Sequence, residues 1–481
     1  MDGLVFTSAT ELAAMIRERR ASSVEVLDAL LAQVARRNGE VNAIVTRDPD
    51  NARSRAQAAD NALARGELWG PLHGVPFTIK DALATAGLRT TSGFPPLSDH
   101  VPTADATVVA RLRGAGGILL GKTNLPPLAG GALSDNPLFG RTNNPWNLDR
   151  TPGGSSGGAS AAVAAGMTPL DIGSDAAGSL RIPAHFCGVY ALKPTQNRVP
   201  LTGHIPPPPP MKAAQLLRYG PVLGPLARSI DDLSLALGII AGPDGSDWAV
   251  PPVPLAPAEQ RPLEQRRFLW SDAFGDMPIT HDTSAALNDL VSTLGQLGCR
   301  LQQLAPEQVD MVQAWETYGA LWQAQMGAGQ PADPDDPTLA ALHGDDAFLR
   351  GMAQGVNATL GYFGALLERR DALIADVEAA LQGWDALLCP VVGTPALAHV
   401  PIGEPFLVEQ QQVPYWAGLQ AYCGPFNLTG HPALVMPLTV SGDGLPIGLQ
   451  LVGRRWGEME LLAVAEQLVD VVGPFRRPPG Y

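Results

Sequence analysis

Short apolar runs alternate along this 481-residue chain with longer stretches in which apolar positions recur every three or four residues. At the N-terminus, Leu12 and Ile16, then Val24, Leu27, Leu31 and Val34, fall at helical spacing. Each set follows a capping-box pattern, Ser8-Ala-Thr-Glu11 and Ser22-Ser-Val-Glu25, so a helical hairpin is expected. Helical patterns recur over 51–65, 103–113, 229–241, 283–297 and 458–469. Short apolar runs that read as strands lie at 41–45, 75–79, 117–121, 168–172, 188–192, 268–270 and 301–304, and another begins at Leu387. Residues 432–440 and 445–452 read as a hairpin across Ser441-Gly-Asp-Gly444, where Asp-Gly is a strong turn signal. Such alternation of helix and short strand predicts an α/β layer structure.

Two stretches interrupt the pattern. Pro206 to Pro210 is a run of prolines, suited to a polyproline II surface turn. Residues 242–262 are rich in Pro and Gly and read as a linker or long loop. From 306 to 370 the composition turns helical and Ala/Gln-rich, with Trp315, Tyr318, Trp322 and Tyr362. Those aromatics suit core packing, and equally the lining of a substrate pocket.

Composition narrows the function classes. With 45% apolar residues the chain can bury a sizeable core, in two or three lobes or one large α/β unit. Only 17% of residues are charged, and 52 Gly plus 45 Pro require many tight turns. A net charge of −14 argues against a nucleic-acid-binding surface. Four scattered cysteines, Cys187, Cys299, Cys389 and Cys423, form no CxxC pair, which suits a reducing, cytoplasmic location and offers no metal site. Neither a signal peptide nor an apolar run of about 18 residues is apparent, so no membrane association is expected.

The most unusual stretch is Thr151-Pro-Gly-Gly-Ser-Ser-Gly-Gly-Ala-Ser160, followed by Asp171-Ile-Gly-Ser-Asp-Ala-Ala-Gly-Ser-Leu-Arg-Ile-Pro183. Ser155 and Ser179 each follow a glycine among tiny residues, where exposed backbone N–H groups can cradle an oxyanion. A flexible linker is the plain alternative. Apolar flanks and the helix-forming run 161–165 argue against it. Upstream, Lys80 ends the apolar run 75–79, an unusual place for a lysine.

Several other motifs mislead. Gly116-Gly-Ile-Leu-Leu-Gly121-Lys122-Thr123 matches a phosphate-binding loop, but its apolar core reads as a strand, and prolines follow where a helix should run. The eight histidines show neither HExxH nor a close pair. No GxSxG elbow occurs. His185 is near Ser179 in sequence, but Ile182-Pro183 intervenes and no Asp partner is evident.

Together, Lys80, Gly153-Gly-Ser-Ser-Gly-Gly158 and Gly173-Ser-Asp-Ala-Ala-Gly-Ser-Leu-Arg181 resemble the amidase signature family. Gly70-Pro-Leu-His-Gly-Val-Pro-Phe-Thr-Ile-Lys-Asp81, Gly121-Lys-Thr-Asn124, Asn143-Asn-Pro-Trp146, Phe186-Cys-Gly-Val-Tyr-Ala-Leu-Lys-Pro-Thr195 and Gly444-Leu-Pro-Ile-Gly-Leu-Gln-Leu-Val-Gly453 agree with it. The likeness runs from about residue 8 to 470 and is weakest over 242–419. It implies an α/β fold, a large mixed twisted β-sheet covered by helices on both faces. The implied organisation is an N-terminal helical region over 1–70, a core over 71–241, a variable, partly helical region over 242–419 building the substrate pocket, and strands and a helix over 420–481 completing the core. The implied catalytic residues are Ser179 as nucleophile, Ser155 as the bridging serine held by a cis peptide, and Lys80 as base. The implied oxyanion donors are the N–H groups of Ala176, Ala177, Gly178 and Ser179. Residues near Ala129 and Gly130 resemble a substrate-touching segment. No metal or cofactor is implied. Many members carry two glycines before the nucleophile, where this chain has Ala177-Gly178; a positive φ at 177 would make alanine costly by about 1 kcal/mol or more.

Elementary chemistry agrees. Amide hydrolysis needs a nucleophile, a proton shuttle and oxyanion donors. A lysine base must be neutral, and lowering its pKa from ~10.4 to ~7 disfavours the ammonium by about 4–5 kcal/mol, which burial can supply. Asp175 and Arg181 read as a structural ion pair shaping the loop. The expected activity is hydrolysis of a linear amide through an acyl-enzyme. The alternatives are an amidotransferase A-type subunit producing ammonia from glutamine for a partner, and an inactive amide-binding relative. After Thr195, the Gly203-His-Ile-Pro stretch departs from the continuation expected of such an amidotransferase. Trp315, Tyr318, Trp322 and Trp416 hint at an apolar or aryl acyl group. A homodimer is the default expectation for a soluble enzyme.

Overall fold

The computed structural model describes residues 3–205, 217–326, 346–356 and 358–481; the five-proline run at 206–210 lies outside them. Among the described residues, eleven of thirteen strands form a single mixed sheet. In chain order the strands are β1 (Ile44–Arg47), β2 (Pro76–Lys80), β3 (Ile118–Thr123), β4 (Leu170–Asp175), β5 (Tyr190–Lys193), β6 (Val222–Ala227), β7 (Arg267–Trp270), β8 (Arg300–Gln303), β9 (Ala386–Pro390), β10 (Phe406–Val408), β11 (Gln411–Val413), β12 (Ala433–Val440) and β13 (Pro446–Val452). The sheet order is β1-β3-β2-β4-β6-β5-β12-β13-β9-β7-β8, with β10 and β11 forming a separate small hairpin.

Strand burial follows position in that order. Strands β2 to β6, β9 and β13 are buried at every residue, so helices and loops cover both faces of the central sheet. Within the large sheet, the edge strands β1 and β8 are the least buried. Parallel pairing joins β2 to both β3 and β4, and β7 to both β8 and β9; the remaining pairs are antiparallel. The parallel neighbours β2 and β4 therefore end on one edge, a position where open α/β sheets place ligands. Among the described residues, no helix is long and apolar enough to cross a membrane.

Several expected elements form with shifted ends. The N-terminal hairpin is Ala9–Arg17 and Ser23–Val41. The second helix carries the full capping box between Ser22 and Glu25. At the first helix only the forward half forms, from Glu11 N–H to Ser8 Oγ, while the Asp232 carboxylate accepts the N–H groups of Ala9 and Thr10. The hairpin β12–β13 turns at 441–445 with Gly444 at φ +78°. Strand β6 is not apparent in the sequence pattern, because Gly224 and Pro225 interrupt its apolar run. The pairing with β4 and β5 overrides that local weakness.

The helix Gly157–Ala164 has no polar face: all eight residues are small and buried. A Cβ at Gly158 would come within 2.3 Å of the Asn124 backbone. Small residues thus let this helix settle directly against the strands that carry the site.

Candidate active site

Period-two alternation along β2 puts Thr78 and Lys80 on one face and Ile79 on the other. Lys80 is fully buried at the end of the strand. Its Nζ lies 2.8 Å from Ser155 Oγ, 2.9 Å from Ser156 Oγ and 3.0 Å from Ser174 Oγ. Ser174 lies near the end of β4, and Ser155 and Ser156 precede the buried small-residue helix. The Gly154–Ser155 peptide is cis. A Cβ at Gly154 would lie 2.6 Å from Leu133 N, so the chain around 132–133 packs directly on this peptide. Ser156 N–H donates to the Ser179 carbonyl (3.1 Å) and ties the two serine loops together.

Burial pushes the Lys80 pKa down to about 7, against the pull of Asp175 and Asp171, which favour the ammonium. The positive end of the 157–164 helix dipole, at Ser156, acts in the same direction as burial. Two further lysines are also buried and lowered, Lys122 to about 8 and Lys193 to about 7, both chiefly by desolvation. Geometry separates the three. Lys122 donates to Leu83 O, Thr85 Oγ1 and Thr90 Oγ1, and Lys193 to Pro194 O. Only Lys80 faces a serine cluster among the described residues.

Ser179 is half-buried, in the turn between β4 and the helix Arg181–Cys187. Asp175 holds this turn. Its carboxylate accepts Gly178 N–H (2.8 Å), Leu180 N–H (3.1 Å), Asn427 Nδ2 (3.0 Å) and a bidentate pair from Arg181 (2.9 and 3.0 Å). The Asp175–Arg181 pair is fully buried, and the guanidinium holds the Asp175 carboxyl well below the usual carboxylate range despite desolvation. Arg181 spends its remaining donors on Gln450 Oε1, Cys423 O and Asn427 Oδ1. This is the structural ion pair expected from sequence.

Of the four N–H groups expected to face an oxyanion, that of Gly178 already has Asp175 as acceptor. Those of Ala176, Ala177 and Ser179 donate to no described acceptor. Gly178 takes φ +110°, and a Cβ there would lie 2.7 Å from Ile182 Cδ1 and 2.9 Å from Cys423 Cβ. Ala177 has no positive φ, so its methyl group costs nothing in backbone strain.

Ala129 and Gly130 lie on the turn 127–130, with Leu128 and Ala129 at φ +51° and +58°. Gly130 is exposed and Ala129 half-buried. Two residues on, Ala132 N–H donates to Tyr415 Oη (3.0 Å), which anchors this segment where it meets Gly154. His185 is engaged elsewhere: Nε2 pairs with Thr394 O (3.0 Å) and Nδ1 accepts Gly448 N–H (2.7 Å). The glycine-lysine motif of 116–123 is β3, a buried strand rather than a phosphate loop. Among the aromatics, Trp315 is core, with its indole N–H on Ala421 O (2.8 Å). Trp322 and Trp416 are half-buried, and Tyr318 is buried with its hydroxyl on Ala176 O.

The residues missed from sequence are Ser156, Ser174, Asp171 and Asn427. Asp171 Oδ2 accepts from Thr78 Oγ1 (2.6 Å) and Thr123 Oγ1 (3.1 Å), and burial raises its pKa to about 7. Its place two strands' width from Lys122 and beside Lys80 comes from sheet pairing, which no local motif encodes.

Comparison with known proteins places the chain. A family model for amidases matches residues 25–462. An acylamidase of Rhodococcus erythropolis is 34% identical over 482 aligned residues, covering 96% of this chain and 94% of that protein. The A-type subunit of the glutamyl-tRNA(Gln) amidotransferase of Roseiflexus sp. (strain RS-1) is 34% identical over 482 residues, covering 95% of each chain. The solved structure of a 6-aminohexanoate cyclic dimer hydrolase superposes with a TM-score of 0.79 at 29% identity, covering 99% of each chain. The chain belongs to the amidase family, the amidase signature group of amide-hydrolysing enzymes.

Proposed function

We propose that this protein hydrolyses a small-molecule carboxylic amide through an acyl-enzyme on Ser179. The observation that carries the reading is Lys80: a buried amine with a pKa near 7, 2.8 Å from Ser155 Oγ. Neutral Lys80 takes the Ser155 proton while Ser155 takes that of Ser179. The Ser179 oxygen adds to the amide carbon, and the carbonyl electron pair becomes an oxyanion facing the N–H groups of Ala176, Ala177 and Ser179. The pair returns as the C–N bond breaks. The proton passes back through Ser155 to the departing nitrogen, which leaves as an amine or ammonia. Water then adds to the ester, loses its proton along the same path, and releases a carboxylic acid with Ser179 restored. These residues and water supply every proton and electron pair in the route. The turn bearing Ala129 and Gly130, two residues before the segment that packs on Gly154, is proposed to touch the substrate.

Intact-mass analysis after treatment with phenylmethanesulfonyl fluoride tests this. A single adduct that maps to Ser179 and disappears in Ser179→Ala is expected. No adduct at neutral pH, or one that survives the substitution, overturns the reading. The same absence of an adduct would favour an inactive amide-binding relative.

The amidotransferase A-type role is the second reading, because A-type subunits of that enzyme match over nearly the whole chain. It predicts glutamine-dependent ammonia release and copurification of a second polypeptide. Ammonia or amine release from other amides by the isolated chain supports the stand-alone enzyme.

A further inference from the structure

Two consecutive carbonyls in the turn before Ser179 are each held by a side chain from a distant part of the sequence. Asp175 O accepts Asn427 Nδ2 (3.3 Å), and Ala176 O accepts the Tyr318 hydroxyl. Tyr318 lies in the helix Met311–Met326, within the region where the family likeness is weakest. The peptide following Ala176 is trans, so its C=O and the Ala177 N–H point in opposite directions. Whatever fixes the carbonyl fixes the N–H.

We propose that Tyr318 is a positioning residue for the oxyanion site: by donating to Ala176 O it sets the plane of the Ala176–Ala177 peptide and turns the Ala177 N–H toward the bound carbonyl. The inference rests on the oxyanion role proposed above. Three features show that the phenol is itself held in place. Tyr318 is buried in an aromatic group, 6.1 Å from the Trp322 ring and 6.0 Å from Phe348. Its helix is locked against the helix Ala347–Gly355 by glycines, since a Cβ at Gly351 would lie 1.9 Å from Glu316 O and one at Gly319 2.1 Å from Phe348 O. On the other side, a Cβ at Gly220 would stand 2.6 Å from the phenolic oxygen, so Gly220 leaves the room that the hydroxyl occupies. Asn427 Nδ2 bonds the Gly220 carbonyl (3.1 Å) and Asp175, linking both turns. Ala177 packs on the same apolar cluster as Tyr318, so its methyl group adds a contact that glycine would lack.

The test is acylation of Ser179, followed as p-nitrophenol release from p-nitrophenyl acetate in wild type, Tyr318→Phe and the packing control Phe348→Leu. Tyr318→Phe keeps the ring and removes only the donor. Deleting an oxyanion donor outright lowers rates about 100- to 1,000-fold, so loosening one is expected to lower the acylation constant by about 10- to 100-fold. The pH midpoint set by Lys80 should not move, and Phe348→Leu, which loosens the packing but keeps the donor, should lose less rate than Tyr318→Phe. A folded Tyr318→Phe enzyme that acylates like wild type overturns the proposal. So does a loss accompanied by a shifted pH midpoint, because the phenol would then act on the base. Should Tyr318→Phe not fold, Tyr318→Met fills the same buried space without a donor and leaves the 176–179 turn and Gly220 unaltered, and the same loss or its absence decides. Wild type that is never acylated at Ser179 defeats the parent reading, and this inference with it.

Discussion

Lys80 Nζ stands 2.8 Å from the hydroxyl of Ser155, at the end of a strand that is buried at every residue. An ammonium there gives up its hydration for three serine hydroxyls, which explains a pKa near 7. The group must be neutral to act as a base. The expected kcat/KM therefore rises with pH about tenfold per unit below a midpoint near 7 and levels above it. Lys80→Arg should be inactive at every pH, because a guanidinium stays protonated. A profile with no acidic limb near 7 would rule out Lys80 as the base.

The same shift has a consequence for stability. The folded pKa of about 7 lies below the unfolded value of ~10.4, so between these limits the unfolded chain binds the extra proton. Stability contributed through Lys80 accordingly rises as pH increases through that window. Lys122 and Lys193 act in the same direction, so the measurement is a difference. Urea unfolding of wild type and Lys80→Met from pH 7 to 10 should show a shallower rise in the variant. Equal slopes would mean that Lys80 is ionised in the folded enzyme at neutral pH.

Asp175 is expected to be the most costly single carboxylate to remove. Asp175→Ala strands the buried Arg181 guanidinium and frees the N–H groups of Gly178 and Leu180. Losing one partner of a buried pair costs about 3–5 kcal/mol, readable as a lowered urea midpoint. The folded pKa of Asp175 is depressed. Its contribution is fully present above the unfolded value of ~3.9 and is lost as pH falls below that. Asp175→Asn should therefore flatten the acid limb of the stability profile as well as lower its plateau.

Adjacent residues in the same turn should differ in their effect on activity. Gly178→Ala imposes a Cβ on φ +110° and on contacts of 2.7 and 2.9 Å, so loss of both stability and activity is expected. Ala177 has no positive φ, and Ala177→Gly should keep activity within a few-fold while costing up to about 1 kcal/mol. Thermal melts with acylation rates on both variants check this; an inactive, well-folded Ala177→Gly would show that the methyl group does more than pack.

How far these features could be read from the sequence depended on their range along the chain. Lys80, Ser155 and Ser179 sit in short motifs whose composition already demands an explanation, and Asp175 and Arg181 lie only a few positions apart. Asn427 carries no local motif that marks it for the site, because its partners Asp175 and Gly220 are supplied by the fold. Tyr318 stands out in the sequence only as an aromatic, yet its bond to Ala176 spans 142 positions. Strand β4 extends through Ser174 and Asp175, beyond the expected apolar run, because pairing with Leu223 and Val222 carries the polar residues along. Local pattern locates strands and turns; which polar groups meet is decided by strand order.

The three serines around Lys80 make equivalent contacts and should nevertheless separate by function. An ammonium fills all three acceptors; a neutral amine offers two donors and one lone pair, so one hydroxyl must turn and donate. Ser155 is the one proposed above to relay the proton between Lys80 and Ser179, so Ser155→Ala should lose about 100- to 10,000-fold in rate with the fold intact. Ser174→Ala removes only an acceptor that favours the charged form. A hydrogen bond worth about 1 kcal/mol corresponds to less than one pKa unit. The acidic limb should therefore move to lower pH by about half a unit to one unit, with the plateau rate falling less than tenfold. Matched pH profiles of the two variants decide the matter. If Ser174→Ala loses as much plateau rate as Ser155→Ala, the proton does not travel by a single serine, and the shuttle must be assigned to the cluster as a whole.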